Sequence, residues 1–190
     1  MKKAVLSTFL FLAVTACNKE TEKIENTVDT NTDSAVTMPE DFHSEPIAPF
    51  RAVELSTVET SELLAKKNDT LYVTNFFATW CGPCVREIPH FREKIEETEN
   101  QPVKITFVAL DVKEDWTTKV KPFVEEHRIA ENTVLVNPEL LTPEFFPENF
   151  EKWDGASIPF TFMRKGNKTD ETIGMMSKEM LDRKMASFSN

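Results

Sequence analysis

Cysteine occurs three times in the 190 residues, at Cys17, Cys81 and Cys84, and the last two are separated only by Gly82-Pro83. Two thiols at this spacing can close and reopen a disulfide, supply half of a tetrahedral zinc site, or lie inert in a core. A structural zinc site needs about four ligands. The only further nitrogen ligands of the histidine type are His43, His90 and His127, none in a second paired motif. The redox reading is therefore favoured over the other two, and no metal or other cofactor is expected.

The setting of the pair strengthens that reading. Leu71 to Ala78 is a nearly continuous apolar and β-branched run, the pattern of a strand buried on both faces. Beyond Cys84, the residues Val85, Ile88, Phe91 and Ile95 predict a helix to about Thr98. Cys81 thus falls where a buried strand passes into a helix N-terminus, whose free N–H groups and positive dipole end favour a thiolate. It is the expected attacking nucleophile. Cys84, one turn deeper, suits the thiol that resolves a mixed disulfide. Pro83 has no N–H to lose in a first helical turn, where that donor would lack a partner anyway.

The surrounding elements alternate. Phe50 to Leu55 reads as a first strand and Ser61 to Lys67 as a short helix with Ser61 as N-cap. Val103 to Leu110 is a second buried strand. Trp116 to His127 is a helix capped by Asp115 and bent or interrupted at Pro122, and Thr133 to Val136 is a further strand. The stretch from Pro138 to Gly155 carries three prolines and the aromatics Phe145, Phe146, Phe150 and Trp153, which are read as core and not as a substrate groove. Phe160 to Arg164 and Lys168 to Ile173 flank a Lys165-Gly166-Asn167 turn and form a hairpin, and Ser177 caps a last helix through Met180, Leu181 and Met185. The order implies an α/β fold: a parallel or mixed central sheet with helices on both faces.

Val73-Thr74-Asn75-Phe76-Phe77-Ala78-Thr79-Trp80-Cys81-Gly82-Pro83-Cys84 resembles the active-site segment of the thioredoxin-like superfamily, in particular its extracytoplasmic TlpA/ResA branch. The resemblance continues through Arg86-Glu87-Ile88-Pro89, Phe107-Val108-Ala109 and Ser157-Ile158-Pro159-Phe160-Thr161-Phe162. It implies a thioredoxin-like fold and a thiol-disulfide oxidoreductase acting on protein thiols and disulfides. It also implies that Pro159 is a cis-proline beside the redox pair and that Ile158 offers its backbone to an extended substrate peptide. Trp80 is expected to shield the cysteines and give the substrate an apolar contact, a packing role being the alternative. Many thioredoxins carry an acid where this chain has Asn75, which cannot exchange a proton. In the TlpA/ResA branch an acid three residues after the second cysteine has a related role, and Glu87 holds that position; the alternative is a solvated acid that only complements the helix dipole. His90 is read as a helix surface residue.

Reduction of substrate disulfides is the preferred direction, because Gly82-Pro83 matches thioredoxin, with a potential of about −270 mV against about −120 mV for the oxidant DsbA. A reductase outside the cytoplasm needs an upstream membrane electron donor. The competing readings are an oxidant or isomerase, and a lipoprotein that binds an envelope partner without turnover. A peroxidase is disfavoured, since no separate peroxidatic cysteine is found.

The N-terminus joins Lys2-Lys3 to the apolar run Ala4 to Val14 and then small residues up to Cys17, the order of a secretory signal. That run falls short of the roughly 20 residues that cross a bilayer. Val14-Thr15-Ala16-Cys17 resembles the lipobox of bacterial lipoproteins, implying a signal peptide over 1–16 and lipidation of Cys17. Residues 17–46, polar and without periodicity, are expected to form a disordered tether with a span of about 30 Å. A single thioredoxin-like domain is expected over 47–190. Asn18, in place of the aspartate that often signals inner-membrane retention, slightly favours the outer membrane of the cell envelope on its periplasmic side. With a formal net charge of −10, which becomes more negative once Lys2 and Lys3 are removed, nucleic acid is not an expected partner.

Overall fold

The computed structural model describes residues 53–189. The expected signal, lipidation site and tether, together with the start of the first strand, lie outside the described residues. Within them, the run of apolar residues at Leu71–Phe77 forms β2, in which only Tyr72 escapes full burial. The remaining strands are β1 (Val53–Glu54), β3 (Val103–Ala109), β4 (Thr133–Leu135), β5 (Phe160–Lys165) and β6 (Lys168–Ile173). They make one sheet in the order β1-β4-β3-β2-β5-β6. β2 is parallel to β3 and antiparallel to β5, so the sheet is mixed, as its sequence order implies.

Side chains alternate across β2, and each face has its own core. On one face Val73 and Phe77 pack with Cys84, Ile88 and Phe91 of α2 (Gly82–Glu97), Val124 of α3 (Lys121–Glu126), and Leu181 and Met185 of α5 (Lys178–Ala186). On the other, Phe76 packs with Leu64 of α1 (Thr57–Leu64) and with Phe145 of α4 (Phe145–Asn149), Phe150 and Trp153. The aromatics after Pro138 are therefore core. Trp153 stacks on Phe160 at 4.2 Å between ring centroids and meets Phe146 edge-on at 5.4 Å.

Two helix starts differ from expectation. α1 begins at Thr57, and its cap is Ser56, whose hydroxyl accepts from Glu59 N–H while the Glu59 carboxylate accepts from Ser56 N–H. This reciprocal box satisfies two free donors at once, which Ser61, lying inside the helix, could not do. Asp115 makes no side-chain cap either. Lys113–Asp115 is a 3-10 turn that runs into a π-helical turn at Trp116–Val120 before α3, and the Asp115 carboxylate pairs with Lys119 at 2.9 Å. Pro122 lies in the first turn of α3, where its missing N–H costs nothing.

Topology decides where chemistry can sit. Chain order leaves β2 in one direction toward β3 and β4 and returns on its other side as β5, so the carboxyl end of β2 is a switch point of the kind at which α/β sheets bind ligands. The antiparallel register pairs Phe76 with Phe160, which brings the residue before β5, Pro159, alongside the end of β2.

Gly155 sits in the loop leading to Pro159 with φ +82°, and a Cβ built there would lie 2.3 Å from Phe146 Cζ, far inside van der Waals contact. Gly155→Ala should lose about 1–3 kcal/mol in urea denaturation, from left-handed strain plus the clash. Combining it with Phe146→Ala should make the pair less costly than the sum of the single changes; strict additivity would show that the ring is not what excludes a side chain.

Candidate active site

Cys81 and Cys84 are joined as a disulfide with Cα atoms 5.3 Å apart. Cys81 is the N-cap of α2, and Cys84 N–H donates to its Sγ at 3.3 Å. A sulfur held by a free helical N–H is one whose negative charge the helix end can stabilise. Cys81 keeps a trace of solvent exposure, 5%, whereas Cys84 has none, so Cys81 is the outer and Cys84 the inner of the two.

The loop before β5 closes over the pair. The Ile158–Pro159 peptide is cis, and the Ile158 carbonyl oxygen lies 3.7 Å from Cys81 Sγ. Pro159 is buried and Ile158 half-buried. The loop is tied from two directions: Trp153 Nε1 donates to Ser157 O at 2.8 Å, and Gly174 N–H donates to Pro159 O at 2.8 Å. Trp80, the residue before Cys81, is 71% exposed, so most of it faces solvent. Met175, the residue after Gly174 in the β6–α5 loop, is also exposed.

Glu87 is fully buried one turn beyond Cys84, which removes the reading of a solvated acid. Its Oε1 accepts from Asn75 Nδ2 at 2.7 Å and its Oε2 from Met176 N–H at 2.7 Å. Asn75 Nδ2 also donates to Thr161 Oγ1 at 3.0 Å. Burial pushes the Glu87 carboxyl up to about 7, and the bonds from Met176 and Asn75 hold it from rising further. A carboxyl poised there can both take and give a proton near neutral pH. His90, half-buried and further along α2, makes no such contact with the pair.

One residue of the site went unread in the sequence. Asp111, just past β3, is fully buried and accepts from Thr79 three times: from N–H at 3.2 and 3.1 Å on its two oxygens and from Oγ1–H at 2.5 Å. Trp116 Nε1 donates to the Asp111 carbonyl at 2.8 Å. Thr79 lies two residues before Cys81 but 32 residues from Asp111, so neither spacing nor periodicity could pair them.

The chain is similar to several known proteins. Over 78 residues the chain is 35% identical to thiol-disulfide oxidoreductase ResA of Oceanobacillus iheyensis, which is 41% of this chain and 37% of that protein, so it spans well under half the length of that relative. Sporulation thiol-disulfide oxidoreductase A of Bacillus subtilis is 24% identical over 129 residues, 67% of this chain and 73% of the relative. A crystal structure of a thiol:disulfide interchange protein of the thioredoxin family from Chlorobium tepidum superposes with a TM-score of 0.52 at 28% identity, covering 66% of this chain and 83% of that one. The model of the AhpC/TSA family matches residues 41–157, a span that holds both cysteines, Glu87 and Asp111. With its thioredoxin-like fold and its disulfide at the head of α2, this chain belongs to the AhpC/TSA family.

Proposed function

We propose that this protein is an extracytoplasmic thiol-disulfide oxidoreductase that reduces disulfides in proteins of the cell envelope. The observation that carries the reading is the Cys81–Cys84 disulfide at a helix N-terminus, with the carbonyl of a cis-proline loop 3.7 Å from the outer sulfur. An extended peptide beside Ile158 would present its own sulfur to Cys81. The relatives named as thiol-disulfide oxidoreductases support the same class of reaction.

In the reducing direction the dithiol form reacts. The Cys81 thiolate attacks one sulfur of a substrate disulfide; the substrate S–S bond breaks, a mixed disulfide forms, and the departing substrate thiolate takes a proton. Cys84 gives its proton to the Glu87 carboxylate and attacks Cys81 Sγ; the mixed S–S bond breaks, the Cys81–Cys84 bond closes, and the second substrate sulfur leaves as a thiolate that takes a proton from Glu87 or water. Two electrons have passed to the substrate. For a further turnover two electrons must be returned to the Cys81–Cys84 pair, and an upstream membrane dithiol is the proposed donor. Exposed Trp80 supplies apolar contact to the arriving peptide.

The location follows from the N-terminal residues: a signal peptide over 1–16, a diacylglyceryl group on Cys17, a tether over 17–46 and a catalytic domain over 47–190. Anchoring in the outer membrane of the envelope, facing the periplasm, is the preferred placement. Buried acyl chains contribute about 0.8 kcal/mol per CH₂, so the chains of a lipoprotein hold it stably.

The reading is tested by equilibrating the soluble domain against a dithiothreitol series and scoring Cys81 and Cys84 by alkylation and mass. A potential at or below about −270 mV is expected for a reductase; one near −120 mV would reverse the direction, and failure to form the disulfide would remove the reading. Cys81→Ser should abolish reduction of a protein disulfide, and a Cys81→Ser strain with its full phenotype would point instead to a binding role. Cys17→Ser should release the protein from membranes and end its labelling by a fatty-acid probe; unchanged labelling would refute the anchor.

Glu87 gives a pH signature. The folded carboxyl holds its proton to about pH 7, against an unfolded value of 4.5. The folded state therefore binds the extra proton between those values, so this contribution to stability is complete below pH 4.5 and is lost as pH rises through 7. At 1.36 kcal/mol per unit, its ceiling is about 3 kcal/mol. Glu87→Gln, neutral throughout, should flatten the fall in Tm between pH 5 and 8 and remove an inflection near 7 from the pH dependence of the reduction potential. Curves unchanged in both respects would exclude proton exchange at Glu87.

A further inference from the structure

Asp111 is a fully buried acid with no cationic partner among the described residues, and both of its carboxylate oxygens are turned on one residue, Thr79. Burying a carboxylate is costly unless hydrogen bonds satisfy its oxygens. The bonds that do so here hold a turn. Ala78 ends the buried run, Cys81 N–H closes back on Ala78 O at 3.1 Å, and α2 starts at Gly82. Thr79 is the first residue inside that turn, and Asp111 holds it by its backbone and by its side chain together. Asp111 is itself held: Leu110 N–H donates to Phe77 O at 2.8 Å, and the Trp116 indole fixes the Asp111 carbonyl.

We propose that Asp111 is a positioning residue: through Thr79 it locks the Ala78–Cys81 turn and thereby sets the reactivity of the Cys81 sulfur at the head of α2. The inference rests on the thiol-disulfide exchange reading above. It adds a control point just past β3, outside the strand and helix that flank the cysteines. The stabilising bond to the sulfur, from Cys84 N–H at 3.3 Å, holds only while Cys81 keeps its N-cap geometry. A turn free to move loses that bond in part, and the thiolate with it.

The sign of the effect separates positioning from charge. Removing a buried anion by electrostatics alone would favour a nearby thiolate and lower the Cys81 thiol pKa. Loosening the turn does the opposite. The pH profile of Cys81 alkylation in the reduced full domain, read by mass, decides between them. Asp111→Asn places an N–H or a single acceptor against Thr79 and should raise the thiol pKa by about one unit, a tenfold loss of thiolate on the low-pH side. Thr79→Val, which keeps the carboxylate and loses one of its bonds, should shift the profile the same way by less. The double variant should shift no further than Asp111→Asn alone, because both act through one contact.

A profile lowered by Asp111→Asn would overturn the proposal, as would a lowered Tm with an unmoved profile or fully additive single effects. Should Asp111→Asn fail to fold, Thr79→Val carries the prediction alone, and an unmoved profile there is equally fatal. A wild-type domain that forms no Cys81–Cys84 disulfide would instead refute the exchange reading, so the two failures are distinct.

Discussion

A strand buried on both faces has no water to satisfy its polar side chains, and β2 carries two in succession, Thr74 and Asn75. Because they point to opposite faces, each must recruit a partner from a different layer. Asn75 meets Glu87 of α2 and Thr161 of β5. Thr74, on the far face, accepts from Arg164 Nη1 at 3.0 Å, and the same guanidinium donates to Leu63 O at the end of α1. Two internal charges in the domain thus answer one strand. Arg164 lies between the Tyr72 and Phe162 rings, and burial pulls it down to about 10, an environment in which aromatic faces stand in for an acid.

What could be read in the sequence is what repeats locally. The β2 run, α2, the β5–β6 hairpin and the Ser177 cap all rest on neighbours within a few residues, and each stands where periodicity puts it. The burial of Glu87 belongs to the same class: it shares one helical stripe with Cys84, Ile88 and Phe91, all buried. The start of α1 is also written in the Ser56-x-x-Glu59 spacing, although Ser61 stands nearer the apolar Leu63 and Leu64. The π-helical turn at Trp116–Val120 has no sequence signature of its own.

The contacts that complete the site are of another kind. Asp111 reaches Thr79 across 32 residues, Met176 reaches Glu87 across 89, and Arg164 reaches Thr74 across 90. Nothing in local composition distinguishes an aspartate about to be buried from one left in solvent. The segment from Pro138 to Gly155 shows the same limit in milder form: its aromatic content announced a core, but that Trp153 would also anchor the cis-proline loop through Ser157 depends on the way α4 folds back on the sheet.

The outermost strand has a consequence for how the molecule meets unfolded chains. β6 is a six-residue edge whose backbone could in principle accept another strand, the starting point for β-augmentation or aggregation. It is charged along its length by Lys168, Asp170 and Glu171. Asp170 pairs with Lys184, and Glu171 takes the N–H groups of Glu151 and Lys152 at 2.7 and 2.8 Å, drawing that loop toward the edge. Strand addition is thereby discouraged along this border, and under the proposed exchange reaction a visiting chain would instead meet the backbone beside the disulfide. Such a chain could be held for the length of one bond exchange and let go, without being zipped into the sheet.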